Sequence, residues 1–173
     1  MSNVITGFIV IAVLLIGTGV MVQGAIKWMT QTSDSWSERE SRSSEIVRTS
    51  ISVISTDKTS SPYVDITLKN IGQTPVRDFA AWDVILEYYE ADNTYHQSWL
   101  PYVNSAPPGD NKWTVIGLYL DAATSTVEKF QPNILDPEEE MVIRVQLSPV
   151  VGASTDNRIV ISTPNGVSVS AAF

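Results

Sequence analysis

From Val4 to Val22 nearly every position of the chain is apolar or small, and no charged side chain occurs before Lys27. A helix of about 19 such residues spans ~29 Å, enough to cross a hydrocarbon core. The helical repeat does not stop at membrane length. Val22, Ile26, Met29, Ser33 and Trp36 recur at helical spacing, with Gln23, Lys27 and Gln31 between them. A helix reaching about Ser44 would be roughly 60 Å long, more than a simple anchor needs. Gly7, Gly17, Gly19 and Gly24, with Thr6 and Thr18, supply small positions where helix backbones approach closely. Each such glycine costs about 1 kcal/mol in a water-exposed helix interior. Packing in a helix bundle accounts for them better than a lone anchor does. Met1-Ser2-Asn3 carries no basic side chain, which speaks against a secretory signal peptide. Lys27, just past the greasy run, is a thin vote for a cytoplasmic head.

From about Glu45 the period changes to two. Val64, Ile66 and Leu68 alternate with Asp65, Thr67 and Lys69, the mark of a half-buried strand. Trp82, Val84, Leu86 and Tyr88 repeat the pattern with Ile85 as the exception, and Met141, Ile143, Val145 and Leu147 repeat it with Val142 out of step. Ile159 and Ile161 lead through Thr163-Pro164-Asn165-Gly166 into Val167, Val169 and Ala171. Asn-Gly between alternating runs predicts a hairpin, because both residues tolerate positive φ. Shorter strands are predicted at Ile51 to Ile54, Tyr95 to Val103 and Lys112 to Leu120. Turn chemistry falls at Asn70-Ile71-Gly72, Pro107-Pro108-Gly109-Asp110 and Leu135-Asp136-Pro137. The whole predicts an α+β chain: a long hydrophobic N-terminal helix over residues 1–44, then an antiparallel immunoglobulin-like β-sandwich over 45–173.

Composition narrows the chemistry. The net charge is −8, carried by the head, which argues against nucleic-acid binding. There is no cysteine, so disulfides and thiolate chemistry are excluded. His96 is the single histidine, too little for a metal cluster or a Ser-His-Asp triad, and it reads as structural or solvent-facing. Glu138-Glu139-Glu140 reads as a solvated turn rather than a cation site, and Asp110-Asn111 matches no calcium loop. No phosphate loop, dinucleotide fingerprint, nucleophile elbow or zinc pair occurs, so no catalytic residue, metal ligand or cofactor site is assigned. Trp99, Tyr102 and Trp113 suit an exposed sugar-binding or subunit-contact patch and the core equally well. No Asn-x-Ser/Thr sequon is present.

The chain resembles the archaeal-type pilin and archaellin superfamily. The resemblance begins at Ile5-Thr6-Gly7 and the uncharged run from Phe8 to Ile16, and continues through Ser35 to Ser44 and Ile46 to Ile54. Val64 to Gly72 followed by Trp82-Asp83-Val84 is similar to archaellin heads. It implies a non-enzymatic subunit held by lipid before assembly. A dedicated ATP-driven membrane platform then polymerises it into an extracellular surface filament for motility or adhesion. The helices bundle in the core and the sandwiches form the shell. On this reading Ile5, Phe8, Ile9, Ile11, Ala12, Leu14, Leu15, Val22, Ile26 and Met29 form the assembly surface, and the main partner is a further copy of the chain. Two family features are not seen: a short basic leader, and the glutamate that bacterial type IV pilins carry near their mature N-terminus. Accessory archaellum subunits resembling stators share the same architecture and are the rival.

Overall fold

A run of apolar side chains forms a helix readily because the helix satisfies its own backbone polar groups. The computed structural model, which describes residues 2–60, 62–153 and 155–173, shows that helix as α1, Ser2–Arg48. Met1 and Ser61, which bound two stretches discussed above, lie outside the described residues. The chain divides into two compact units, Met1–Ser43 and Ser44–Phe173.

Helix α1 runs past the Ser44 end that the pattern suggests, because no Gly or Pro stops it between Ser44 and Ser50. Its end is fixed from elsewhere in the second unit. The Thr49 hydroxyl donates to the Glu45 carbonyl at 2.8 Å. The Gln73 N–H donates to the Arg48 carbonyl at 2.8 Å and the Ile71 N–H to the Ser50 carbonyl at 2.9 Å. Asn70 holds this loop: its amide donates to the carbonyls of Thr74 and Leu135 and its Oδ1 accepts from the Gly72 N–H. A Cβ added at Gly72 would lie 2.5 Å from the Ser50 nitrogen and 2.6 Å from the Arg48 oxygen, both main-chain atoms that cannot yield. Gly72→Ala is therefore expected to destabilise the head by about 1–3 kcal/mol. Thermal unfolding of the purified protein checks it, and an unchanged midpoint would mean this loop does not seat closely on the helix end.

Among the described residues nine strands follow: β1 Ile51–Ser60, β2 Tyr63–Asn70, β3 Asp83–Tyr89, β4 Tyr95–Leu100, β5 Lys112–Asp121, β6 Thr126–Val127, β7 Glu140–Gln146, β8 Arg158–Ser162 and β9 Ser168–Ala172. They form two antiparallel sheets, ordered β1-β2-β7-β5-β6 and β4-β3-β8-β9. Alternation decides which side chains meet between them. Val64, Ile66 and Leu68 of β2 and Met141, Ile143 and Val145 of β7 are buried from one sheet, Val84, Leu86, Tyr88, Ile159 and Ile161 from the other. Where the sheets' edges meet, the Thr56 hydroxyl donates to the Ala172 carbonyl at 3.2 Å. The fold is the expected α+β class with an antiparallel sandwich.

Several details differ from the sequence pattern. Strand β1 extends to Ser60, well beyond Ile54, because β2 pairs along it through two irregularities in register. Strand β4 stops at Leu100, because the Trp82 N–H turns to the Phe79 carbonyl at 3.1 Å instead of continuing the ladder, while the Val103 N–H donates to the Trp113 carbonyl at 2.9 Å. A single 3-10 turn, Phe79–Ala81, precedes β3. At the β8–β9 hairpin Gly166 alone takes positive φ, +90°. Pro164 sets the first turn position and the Gly166 N–H closes on the Thr163 carbonyl at 2.9 Å, giving a three-residue loop with a glycine bulge.

Candidate assembly helix

The ten residues singled out in the sequence all lie on α1, and all are exposed on the single chain. Phe8 is 75% exposed and Leu14 62%. At 3.6 residues per turn Phe8, Ile11, Ala12, Leu15, Val22, Ile26 and Met29 share one stripe, with Ile5 along its border and Ile9 about 120° from its middle. Leu14 falls about 100° away from the middle of that stripe. Opposite the aliphatic stripe lie Gly17, Gly24, Trp28 and Ser35. A Cβ at Gly7, Gly17, Gly19 or Gly24 would meet nothing within 4 Å, so nothing within the chain itself explains these small residues.

Polar atoms in the helix are satisfied locally. The Thr18 hydroxyl donates to the carbonyls of Leu14 and Leu15 at 2.9 and 3.0 Å, and Thr30 does the same to Ile26 and Lys27. The greasy segment therefore presents an apolar surface on every side. The helix from Ile5 to Arg48 is long and apolar enough to cross a membrane, with a mean hydropathy of 2.6 in its most apolar window. Past Val22 the surface becomes mixed: Trp28, Gln31, Thr32, Ser35, Trp36 and Arg39 line an open groove on one side. Lys27, Arg39, Arg42 and Arg48 offset Asp34, Glu38, Glu40 and Glu45, so the net charge of −8 resides in the head.

The head's candidate groups resolve into structure. His96 Nε2 lies 3.0 Å from Glu90 Oε2 and its ring stacks on Tyr88 at 5.1 Å. Asp110 accepts from the Gln146 amide at 2.6 Å, and Asn111 bridges to Ser148 in a positive-φ turn. Trp113 is fully buried, with Tyr102 packed edge-on against it at 4.9 Å. Of the three aromatics proposed as a patch, Trp99 is exposed. Tyr95 stands on the same face four residues along β4, paired with Tyr89, while Trp99 pairs with Ile85. Their alternation along β4 was visible in the sequence, but the pairing register was not. Among the described residues no group of three or more His, Asp or Glu is placed to hold a metal.

The Glu138–Glu140 run is not uniformly solvated. Glu138 is exposed and pairs with Lys69 at 3.3 Å, whereas Glu139 is buried and its Oε2 accepts from the Asp136 N–H at 2.9 Å. Burial, followed by the charges of Glu128 and Asp136, raises the Glu139 carboxyl above its ordinary value. Glu128 is held low instead, by main-chain N–H donors led by Phe130. A raised carboxyl contributes stability that is complete below its unfolded pKa and disappears as pH rises through the folded one. Glu139→Gln keeps the acceptor and removes the charge. It is expected to raise the unfolding temperature at pH 7, with the gain fading by about pH 4, where the carboxyl is protonated in both states. A gain of equal size at both pH values would contradict this.

No family model matches the chain, and no curated protein matches it. Solved structures do. The archaellum periplasmic stator protein FlaG from Sulfolobus acidocaldarius is 24% identical, covers 72% of this chain and 99% of its own, and superposes with a TM-score of 0.51. The archaeal flagellin FlaB1 from Methanocaldococcus jannaschii is 11% identical, with coverage of 72% and 88% and a TM-score of 0.53. The archaeal flagellum of Methanospirillum hungatei strain JF1 is 15% identical, covers 99% of this chain and 88% of its own, with a TM-score of 0.53. The chain has an archaellin-like fold.

Proposed function

We propose that this chain is the repeating, non-enzymatic subunit of an archaellum-like surface filament. One observation carries the reading: a helix greasy on every face, with glycines that nothing in the chain fills, joined to a folded acidic head. Such a helix needs an apolar surround at all times. Lipid supplies it before assembly and the helices of other copies supply it afterwards. Removal of apolar surface is worth ~25 cal/mol per Å² against water but far less against lipid, so close packing and head contacts give assembly its direction. The match to the Methanospirillum filament, spanning 99% of this chain, takes in the helix as well as the head and supports the reading. The partners are further copies, the membrane and an ATP-driven assembly platform, and the destination is the cell surface. Residues 1–44 are then the assembly element and 45–173 the shell.

A second reading is a stator-like accessory protein with a membrane-anchored helix. It is favoured by the 24% identity to FlaG, against 15% and 11% for the filament proteins. Immunogold labelling with antibodies to the head separates the two. Label along the length of a filament is expected; label confined to the base would give the stator reading the advantage.

A further inference from the structure

The four-stranded sheet ends on β4, which pairs with β3 on one side and, among the described residues, with no strand on the other. The Glu90 N–H donates to the Thr94 carbonyl at 2.9 Å. Antiparallel alternation then makes Tyr88–His96, Leu86–Ser98 and Val84–Leu100 the pairs that exchange main-chain bonds. The N–H and C=O groups of Tyr95, Gln97 and Trp99 therefore face the open edge. Strand β4 holds no Lys and no Pro, the residues that commonly block such an edge.

The side chains of the same three residues stand on the outer face. Tyr95 is 50% exposed and Trp99 58%. The indole of Trp99 is held across the strands by its N–H, which donates to Asp83 Oδ1 at 2.9 Å. The Gln97 amide reaches Glu87 at 3.4 Å, and Tyr89 lies against Tyr95 at 5.3 Å between ring centres. On this outer face the carboxylates of Asp83 and Glu87 stand beside Trp99 and Gln97. The basic group beside them on that face is Arg158, opposite Glu87 on β8, whereas His96 and Glu90 pair on the other face, where the His96 ring stacks on buried Tyr88. Partial desolvation and then the charge of Glu87 raise the Tyr95 hydroxyl pKa.

We propose that the β4 edge docks an extended basic segment of a partner protein, added to the sheet as a further strand. Lys or Arg at alternate positions would lie over Tyr95 and Trp99 and face Asp83 and Glu87. Main-chain bonds supply affinity in this mode and the alternate side chains supply selectivity. Cations within about 6 Å of an aromatic face are attracted by its quadrupole. Charge complementarity selects this occupant over the β4 edge of a second copy, which would bring its own Asp83 and Glu87 against the same carboxylates. The inference stands whether or not the helices bundle.

The test uses the full-length protein in lipid nanodiscs and a synthetic peptide of about twelve residues in which Lys alternates with Val and Thr. A matched peptide carries Glu in place of Lys. The Lys peptide is expected to slow amide exchange at Tyr95, Gln97 and Trp99 by about tenfold or more, and the Glu peptide to leave it unchanged. Gln97→Pro removes an outward donor and leaves the β3 ladder intact, so it should weaken binding at least about tenfold without altering the melting temperature. Asp83→Asn combined with Glu87→Gln should weaken it as well, which keeps the proposal testable if the proline variant is unstable. Equal protection by both peptides, binding without protection of the three amides, or unaffected binding in the paired charge variant would overturn it.

Discussion

Leu14→Asp is expected to abolish surface filaments while the chain still accumulates in the membrane. Leu14 lies within the uncharged run and is exposed on the single chain. In a bundle its carboxylate would be surrounded by the aliphatic faces of other copies, with no donor nearby. Burying an isolated charge costs far more than the loss of one leucine contact. Membrane insertion is less demanding, with a penalty of roughly 2.5–3.5 kcal/mol for Asp at a helix centre, which the remaining apolar residues offset. The fibre fraction sheared from cells should fall by more than about tenfold, an assembly loss exceeding ~1.4 kcal/mol per subunit. Leu14→Met, which keeps volume and polarity, should leave it unchanged. Filaments at normal abundance in the Asp variant would contradict bundling of this segment.

Trp113→Ala is expected to be among the most damaging changes to the head, at about 3–5 kcal/mol. The ring is fully buried in β5, and Tyr102 packs against it edge-on. The aliphatic surroundings cannot collapse into the space left behind. Trp113→Phe is the informative contrast. The indole Nε1 is buried without a hydrogen-bond partner, so the wild-type residue already bears a desolvation penalty. Replacement by Phe removes that penalty along with part of the volume, and the loss should fall well below that of the Ala variant. Chemical denaturation of both variants measures the difference. Equal losses would mean that packing volume alone sets the cost at this position.

The alternation of Val64–Leu68, Trp82–Tyr88 and Met141–Leu147 named most of the core directly, because these strands have one wet face and one dry one. Strand β5 was harder. A register shift between Val115 and Gly117 breaks its period, and Trp113 and Thr114, before the shift, are both buried, so no simple rule marks Trp113 as core. The end of α1 was also hidden, since it is set by Gly72 and Gln73, far along the chain, and by no local stop signal. Glu139 looked like part of a solvated acidic run, yet the turn that delivers β7 folds it inward against Asp136. The ten helix residues proposed for assembly came from the apolar run alone, and on the single chain all of them are exposed. What covers them in the cell is a property of other molecules, which is why the helix stripes support a reading that assembly itself must test.

The most direct test is to shear the surface appendages from cells, image them by negative stain and identify the purified fibre protein by mass spectrometry. The account predicts long fibres in which this chain is the major component. Recovery of the chain solely as dispersed, membrane-bound single molecules, with fibres built from another protein, would contradict it.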